Sequence, residues 1–132
     1  MPRHPSLVPL SHDHRDALAL AFFLHHPAPP GRVSGMTPAS TAATRRTRLL
    51  AFVSERLGPH FRTEEDVLFP ALRTRRELVV SLIADHRQFD PLRDAVVAAT
   101  GDDAIHAALV AFADLLEAHI RREERELFAF FP

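Results

Sequence analysis

The chain has 132 residues, about the length of one domain, and its 16 arginines nearly balance 17 acidic side chains, for a formal net charge of −1. Lysine, cysteine, tryptophan and tyrosine are absent, which excludes Schiff-base chemistry, disulfides, thiolate-bound zinc and iron–sulfur clusters. Nine histidines accompany the carboxylates, and this combination favours a metal site with nitrogen and oxygen ligands.

Helical periodicity covers most of the chain, and no convincing strand pattern interrupts it. Ser11 is a suitable N-cap for the first helix, and the Gly58–Pro59 pair is expected to bend the second. The predicted helices cover about 11–26, 39–72, 75–99 and 103–130. Four helices of this length with mostly short connections predict an all-α protein, an up-down-up-down antiparallel four-helix bundle that forms a single domain over residues 1–132.

The sequence contains no apolar run near the roughly 20 residues that span a membrane. The apolar run 17–24 directly follows charged residues and leads to His25-His26-Pro27 rather than to a cleavage site, so no signal peptide is predicted. A near-neutral charge gives no basic surface for nucleic acid. We therefore expect a cytoplasmic protein without a membrane or nucleic-acid partner, and the sequence leaves any protein partner and the oligomeric state open.

The apolar stripe of each predicted helix passes through a histidine. These residues are His14, His60, His86 and His119. On the second and fourth helices a glutamate follows one turn later, at Glu64 and Glu123. Burying a carboxylate without a partner costs several kcal/mol, so the pattern requires a compensating group.

The same residues fall into an internal repeat. Residues 60–69 and 119–128 share six of ten positions, in the pattern His-x-Arg-x-Glu-Glu-x-x-Leu-Phe, and Asp13-His14-Arg15 is repeated as Asp85-His86-Arg87. Two helical hairpins related by a pseudo-twofold axis would bring two such sets together at the bundle centre. Residues i and i+4 share a helix face, so each His-x-x-x-Glu pair can reach the same metal.

Four histidines and two glutamates thus form a candidate ligand set for two metal ions. Asp90, four residues after His86, is a possible seventh ligand, although it could instead pair with Arg87 or Arg93. Glu65 and Glu124 adjoin the ligands but point off the stripe, which favours supporting or surface roles. The chain contains neither the His-Glu-x-x-His of zinc proteases nor the Glu-x-x-His of ferritin-like proteins.

With these motifs the whole chain resembles the hemerythrin-like, or HHE cation-binding, domains. The segment from Pro59 to Pro70 is especially similar. The resemblance implies an up-down four-helix bundle around a non-haem di-iron centre. It also implies that the four histidines are terminal ligands and that Glu64 and Glu123 bridge both irons.

Two departures from the oxygen-carrying members make the chain resemble the bacterial, non-carrier type. Those members have a second histidine where this chain has Asp90, and a bridging aspartate where it has Glu123. A carboxylate at position 90 weakens the case for simple reversible oxygen storage.

The sequence therefore predicts a non-haem di-iron protein, its two ions bridged by oxide or hydroxide, that binds or senses a small oxidant: O2, peroxide or NO. Two alternatives remain at this point. One is an enzyme that turns over peroxide or NO, and the other is an iron- or oxygen-responsive regulatory module. Histidine and carboxylate ligands also accept zinc, manganese or nickel.

Overall fold

A computed structural model describes residues 7–26, 41–72 and 74–128. Within these ranges the chain forms four helices and no strand, which confirms the predicted all-α four-helix bundle. The first helix is Val8–His25, the third is Arg76–Ala98, and the fourth is Asp102–Arg122 extended by a π-helical turn at Glu123–Leu127. The predicted ends at residues 39 and 130 lie outside the described residues.

The first helix begins three residues before the predicted N-cap at Ser11. Leu7 is the N-cap and Pro9 lies in the first turn, where its missing N–H leaves no hydrogen bond unmade. The predicted start at Ser11 was wrong because it relied on a polar capping side chain. The helix begins at Val8 without a side-chain cap, and Pro9 is favourable in its first turn.

The second helix is continuous from residue 42 to 71 but is not α-helical throughout. Ala42–Phe52 and Gly58–Thr63 are α-helical, Val53–Leu57 and Glu64–Leu68 are π-helical, and Phe69–Ala71 is a 3-10 turn. The helix continues through Gly58–Pro59, where a bend is predicted, and it widens in the π-helical turn directly before that pair. The N–H of Gly58 bonds to the carbonyl of Val53, five residues back, and Pro59 has no N–H to donate.

The third and fourth helices are joined by a short connection that ends at Gly101. Its φ of +88° lies in a region that side chains with a Cβ rarely adopt, so glycine is required there. The first helix packs on the fourth, which also packs on the third and the second. No helix in the described ranges combines the length and the apolar character that a membrane crossing demands.

The bundle has two apolar clusters, one on each side of a polar layer. The larger cluster includes Leu24, Leu49 and Phe112, and the smaller includes Leu82 and Leu127. Along each helix the candidate ligands lie between residues of the two clusters. The fold therefore encloses a polar layer on both sides with close-packed apolar side chains.

Candidate metal centre

Six polar side chains converge in the layer between the two apolar clusters, and all six are buried. They are His14, His60, Glu64, His86, His119 and Glu123. Glu64 and Glu123 have no exposed surface at all. An isolated carboxylate in such a place is strongly unfavourable, so its surroundings must supply positive charge or a cation.

The six residues form two groups that share both glutamates. One group adds His14 and His60 to the glutamates, and the other adds His86 and His119. In each group the potential ligand atoms all lie within 4.8 Å of one another. This is the arrangement that two neighbouring ions need if two carboxylates serve both of them.

The four imidazoles direct their Nε2 atoms at these carboxylates. His14 Nε2 lies 2.9 Å from Glu123 Oε1, and His119 Nε2 lies 3.2 Å from Glu123 Oε2. On the other carboxylate, Glu64, His60 Nε2 lies 3.3 Å from Oε2 and His86 Nε2 lies 3.1 Å from Oε1. Each glutamate therefore faces one histidine of each group.

A second set of carboxylates holds the opposite edge of every imidazole. Nδ1–H of His60 donates to Asp13 over 3.0 Å, and that of His119 donates to Asp85 over 3.0 Å. The other two donors are His86, to Glu65 over 2.6 Å, and His14, to Glu124 over 2.7 Å. These four carboxylates, which we call the carboxylate ring, fix the orientation of all four imidazoles.

The carboxylate ring passes around the bundle in chain order. Asp13 on the first helix bonds to a histidine of the second, and Glu65 on the second bonds to a histidine of the third. Asp85 on the third helix bonds to a histidine of the fourth, and Glu124 on the fourth helix bonds to the histidine of the first. Every helix thus orients a candidate ligand on the next helix.

These contacts also decide the protonation of the histidines, and the result fits a cation. A carboxylate only accepts hydrogen bonds, so Nδ1 carries the hydrogen and Nε2 of a neutral ring presents a lone pair. The Nε2 atoms of His14 and His60 nevertheless lie 3.1 Å apart. Both oxygens of Glu64 and of Glu123 lack a hydrogen-bond partner among the described residues. Lone pairs that converge in this way are the donor set of a metal site.

The pKa shifts show how unfavourable the layer is without a cation. Burial, and then the charge of Glu123, raise the pKa of Glu64 well above its ordinary value. Burial alone would also raise the pKa of Glu123, but the contacts with His119 and His14 hold it well below that value. Burial lowers the pKa of His86. Burial would lower the pKa of His14, but its contacts with the carboxylates of Glu123 and Glu124 outweigh burial and raise it. One carboxylate of the pair therefore tends to keep its proton.

Both candidate glutamates stand at the first position of a π-helical turn. In the turn that starts at Glu64, the N–H of Phe69 bonds to the Glu64 carbonyl, and in the repeat the N–H of Phe128 bonds to the Glu123 carbonyl. The two turns occupy the same place in the sequence repeat. Single π-helical turns of this kind occur often at functional sites, where they re-aim side chains.

Asp90, the possible seventh ligand, belongs to neither group. It is exposed on a groove that also touches His86, while Phe89 takes the buried position beside it. Its pairing with Arg87 or Arg93 is likewise not among the ion pairs of the described residues, and Arg93 contacts Asp94 instead. Ligation by Asp90 therefore stays a prediction.

Asp13 and Asp85 are the contributors to the carboxylate ring that sequence reasoning did not single out. The available signal was the repeated Asp-His-Arg, whose aspartate recurs beside each histidine. Asp13 is in turn held by Arg56, which donates to Asp13 from Nε over 3.1 Å and from Nη2 over 2.8 Å. Arg56 also bonds to Asp16, so this part of the ring is anchored to the protein surface.

A four-helix bundle whose core contains four histidines and two carboxylates defines a class of helical metal-binding proteins. The family model for the hemerythrin HHE cation-binding domain matches residues 8–131. The chain belongs to the hemerythrin HHE family. No match to the chain was found among the curated proteins or among the solved structures.

Proposed function

We propose that the protein is a non-haem di-iron protein that binds or senses a small oxidant, which is O2, peroxide or NO. The observation that carries the proposal is the sharing of Glu64 and Glu123 by both groups of ligand atoms. Each ion would have two imidazoles of its own and the two shared carboxylates.

Four neutral imidazoles and two carboxylates form a donor set that suits iron, and membership of a cation-binding family supports a metal at this place. Four protein ligands per ion are fewer than the six of an octahedral metal, so each ion would retain positions for small ligands. Iron, when bound, supplies the reversible electron transfer and ligand binding that a response to an oxidant requires.

The protein residues would then select and protect the ligand. The carboxylate ring fixes the imidazoles and raises their basicity. The apolar clusters on both sides of the layer exclude water, and the chain has no tyrosine or tryptophan that could carry a radical away. Such a site favours a ligand of very few atoms over an organic substrate.

The test is iron loading under anaerobic conditions, followed by metal analysis and ultraviolet–visible spectra before and after addition of air, peroxide or NO. The protein absorbs little near 280 nm because it lacks tryptophan and tyrosine, so iron bands should be easily resolved. We expect about two irons per chain and bands that change with at least one oxidant.

His14→Ala and His12→Ala form a matched pair, since His14 is buried in the layer while His12, two residues earlier, is exposed. Only His14→Ala should lower the iron content and weaken the bands. The proposal would be refuted if the protein bound only one ion per chain or preferred zinc to iron. It would also be refuted if none of the three oxidants changed the spectrum. Many turnovers per chain would instead establish the enzyme.

A further inference from the structure

Asp13 and Asp85 occupy equivalent places in the sequence repeat, and each orients a histidine of the candidate metal centre. The two aspartates are nevertheless held in different ways. Oδ2 of Asp13 accepts from His60 over 3.0 Å. Its Oδ1 accepts two hydrogen bonds from Arg56, over 2.8 Å from Nη2 and over 3.1 Å from Nε. The carboxylate of Asp13 is therefore fixed at both oxygens.

Asp85 is not clamped by an arginine in this way. Its Oδ2 accepts from His119 over 3.0 Å, and its side chain has no other hydrogen bond within the described ranges. Nη1 of Arg122 lies 3.9 Å from that oxygen and bonds instead to Ser81 over 2.6 Å. Nε of Arg122 bonds to Glu126 over 3.1 Å. The hydrogen bonds of this guanidinium are thus directed away from Asp85.

The difference follows from a local break in the repeat. Arg56 belongs to the π-helical turn Val53–Leu57 and stands four residues before His60. The residue four before His119 is Leu115, and the fourth helix is regularly α-helical at this place. Only the second helix therefore presents an arginine to the aspartate that orients its histidine.

Charge does not distinguish the two arrangements. Arg56 also bonds to Asp16 over 2.7 Å, and Arg122 bonds to Glu126, so each guanidinium lies between two carboxylates. Arg125 lies 3.6 Å from Glu126, but it is 69% exposed and water screens its charge. The two sides differ in the geometry of the hydrogen bonds rather than in the sum of the charges.

The other two histidines do not repeat this contrast. His14 bonds to Glu124 over 2.7 Å and His86 bonds to Glu65 over 2.6 Å, and the two carboxylates are exposed to a similar extent. We call the group with His14 and His60 the His60 half, and the group with His86 and His119 the His119 half. The clamp of Arg56 is the clearest difference between them.

We infer that Arg56 is a positioning residue for one of the two ions. By fixing Asp13 it holds the ring of His60, so the His60 half binds its ion first and more tightly than the His119 half. A ring whose orientation is already fixed loses less conformational freedom when a metal binds. The inference rests on the two ions of the proposed function and adds the order in which they bind.

The first experiment titrates Fe²⁺ into the metal-free protein under anaerobic conditions, in competition with a chromophoric chelator. We expect two binding steps of different affinity. His60→Ala and His119→Ala are matched by the repeat. His60→Ala should remove the tighter step and leave the weaker one, and His119→Ala should do the reverse. A single step in the unmodified protein, or loss of the weaker step in His60→Ala, would overturn the inference.

The second experiment applies the same titration to Arg56→Met. The tighter step should weaken by about tenfold, while the weaker step should stay within about twofold. Arg122→Met is the matched control, because its guanidinium makes no hydrogen bond to the carboxylate ring, and it should change neither step by more than about twofold. Equal weakening of both steps in Arg56→Met would show a general loss of structure and would contradict the positioning role.

Arg56→Lys separates geometry from charge. Lysine keeps the positive charge but cannot present two donors from one edge of a rigid plane, as Arg56 does to Asp13. It should therefore weaken the tighter step nearly as much as Arg56→Met, and it serves alone if Arg56→Met does not fold. Unchanged affinity in Arg56→Lys would mean that the charge matters and the clamp does not, which would overturn the inference.

The outcomes separate the two proposals. If the unmodified protein binds two irons and responds to an oxidant, but the Arg56 variants change neither step, the positioning role is wrong and the proposed function stands. If the two irons bind in the expected order and no oxidant changes the spectrum, the proposed function fails and the inference stands. Fewer than two irons per chain would refute both.

Discussion

Nδ1–H of His60 donates to Oδ2 of Asp13 over 3.0 Å, so the residue that precedes one candidate ligand orients another on a different helix. The repeat provides the same relationship between Asp85 and His119, also at 3.0 Å. The carboxylate fixes both the tautomer and the orientation of the ring. The Nε2 lone pair is therefore already directed towards the metal position in the metal-free protein.

Replacing Asp13 with asparagine should weaken metal binding by about 10- to 100-fold, since an amide is a poorer acceptor for the Nδ1–H of His60. The measurement is competition with a chromophoric chelator. Asp16→Asn is the matched control, because Asp16 shares Arg56 with Asp13 but is not among the residues bonded to a candidate ligand. An equal loss in both variants would show that the ion pairs with Arg56, and not the contact with His60, matter for affinity.

Substitution of Arg45 should lower the stability of the protein and leave the candidate metal centre intact. It is buried, and its Nη1 donates to the carbonyl of Leu24 over 2.9 Å and lies 3.0 Å from Nδ1 of His106. Arg45→Met would leave that buried carbonyl without this donor, so the free energy of unfolding should fall by about 1–3 kcal/mol.

Urea unfolding of the metal-free protein measures the effect of Arg45→Met. Arg48→Met is the control, since Arg48 is exposed above the ring of Phe23 and should change the free energy of unfolding by less than about 0.5 kcal/mol. Metal content should be normal in both variants. Loss of metal in Arg45→Met would show that the contact between Arg45 and the Leu24 carbonyl also supports the candidate metal centre.

The sequence predicted the four helices and the convergence of six polar residues because both follow from local patterns. Periodicity identifies the buried face of each helix, and the repeat relates the two halves of the bundle. The four histidines, one on the apolar stripe of each helix, are then expected to converge at the same level along the bundle axis. The family resemblance agreed with this arrangement, and the family match over residues 8–131 confirms the resemblance.

The contacts of the carboxylate ring could not be predicted in the same way. That Asp13 bonds to His60 depends on how the first and second helices lie against each other, which no spacing within one helix specifies. Glu65 showed the same limit, since its position off the stripe indicated a supporting role but not the contact with His86.

Asp90 shows why spacing alone does not decide which side chain of a helix face is buried. Positions 86, 89 and 90 all lie near one helix face, and the structure buries Phe89 while Asp90 is exposed. An apolar ring gains more from burial than a carboxylate does, so Phe89 occupies the inner position. The π-helical turns were also missed, because they do not change the hydrophobic pattern enough to be recognised.

Glu64→Gln should have opposite effects on the metal-free and the metal-loaded protein. Without metal, burial forces the Glu64 carboxyl to take up a proton on folding, as its raised pKa indicates, whereas the amide of the variant has no charge to lose, so the free energy of unfolding near neutral pH should rise by about 1–3 kcal/mol. With metal, the variant should lose the stabilisation that a bound ion gives, which is about 2.7 kcal/mol at 100 times the dissociation constant.

Thermal unfolding of Glu64→Gln with and without added Zn²⁺ or Fe²⁺ tests both effects. Glu117→Gln is the control, because Glu117 lies on the surface, where it contacts Arg121 at 3.4 Å. It should alter neither state appreciably. A metal-free Glu64→Gln protein that is clearly less stable than the unmodified one would mean that the carboxylate supports the fold even without a cation.

Metal binding should release protons, because the pKa values of Glu64 and His14 are both raised in the metal-free protein. A raised pKa stabilises the folded state below the ordinary values, which are 4.5 for Glu64 and 6.5 for His14, and this contribution disappears as the pH rises through the raised values. The metal-free protein should therefore lose stability across that window.

Metal ligands must be deprotonated, so the apparent metal affinity should increase over the same range of pH in which the metal-free protein loses stability. Isothermal titration with Zn²⁺ in buffers of different ionisation enthalpy counts the protons released at each pH. Glu64→Gln should release fewer than the unmodified protein, and Glu117→Gln the same number. Binding without proton release below pH 6.5 would contradict the raised pKa values and would require both groups to be already deprotonated in the metal-free protein.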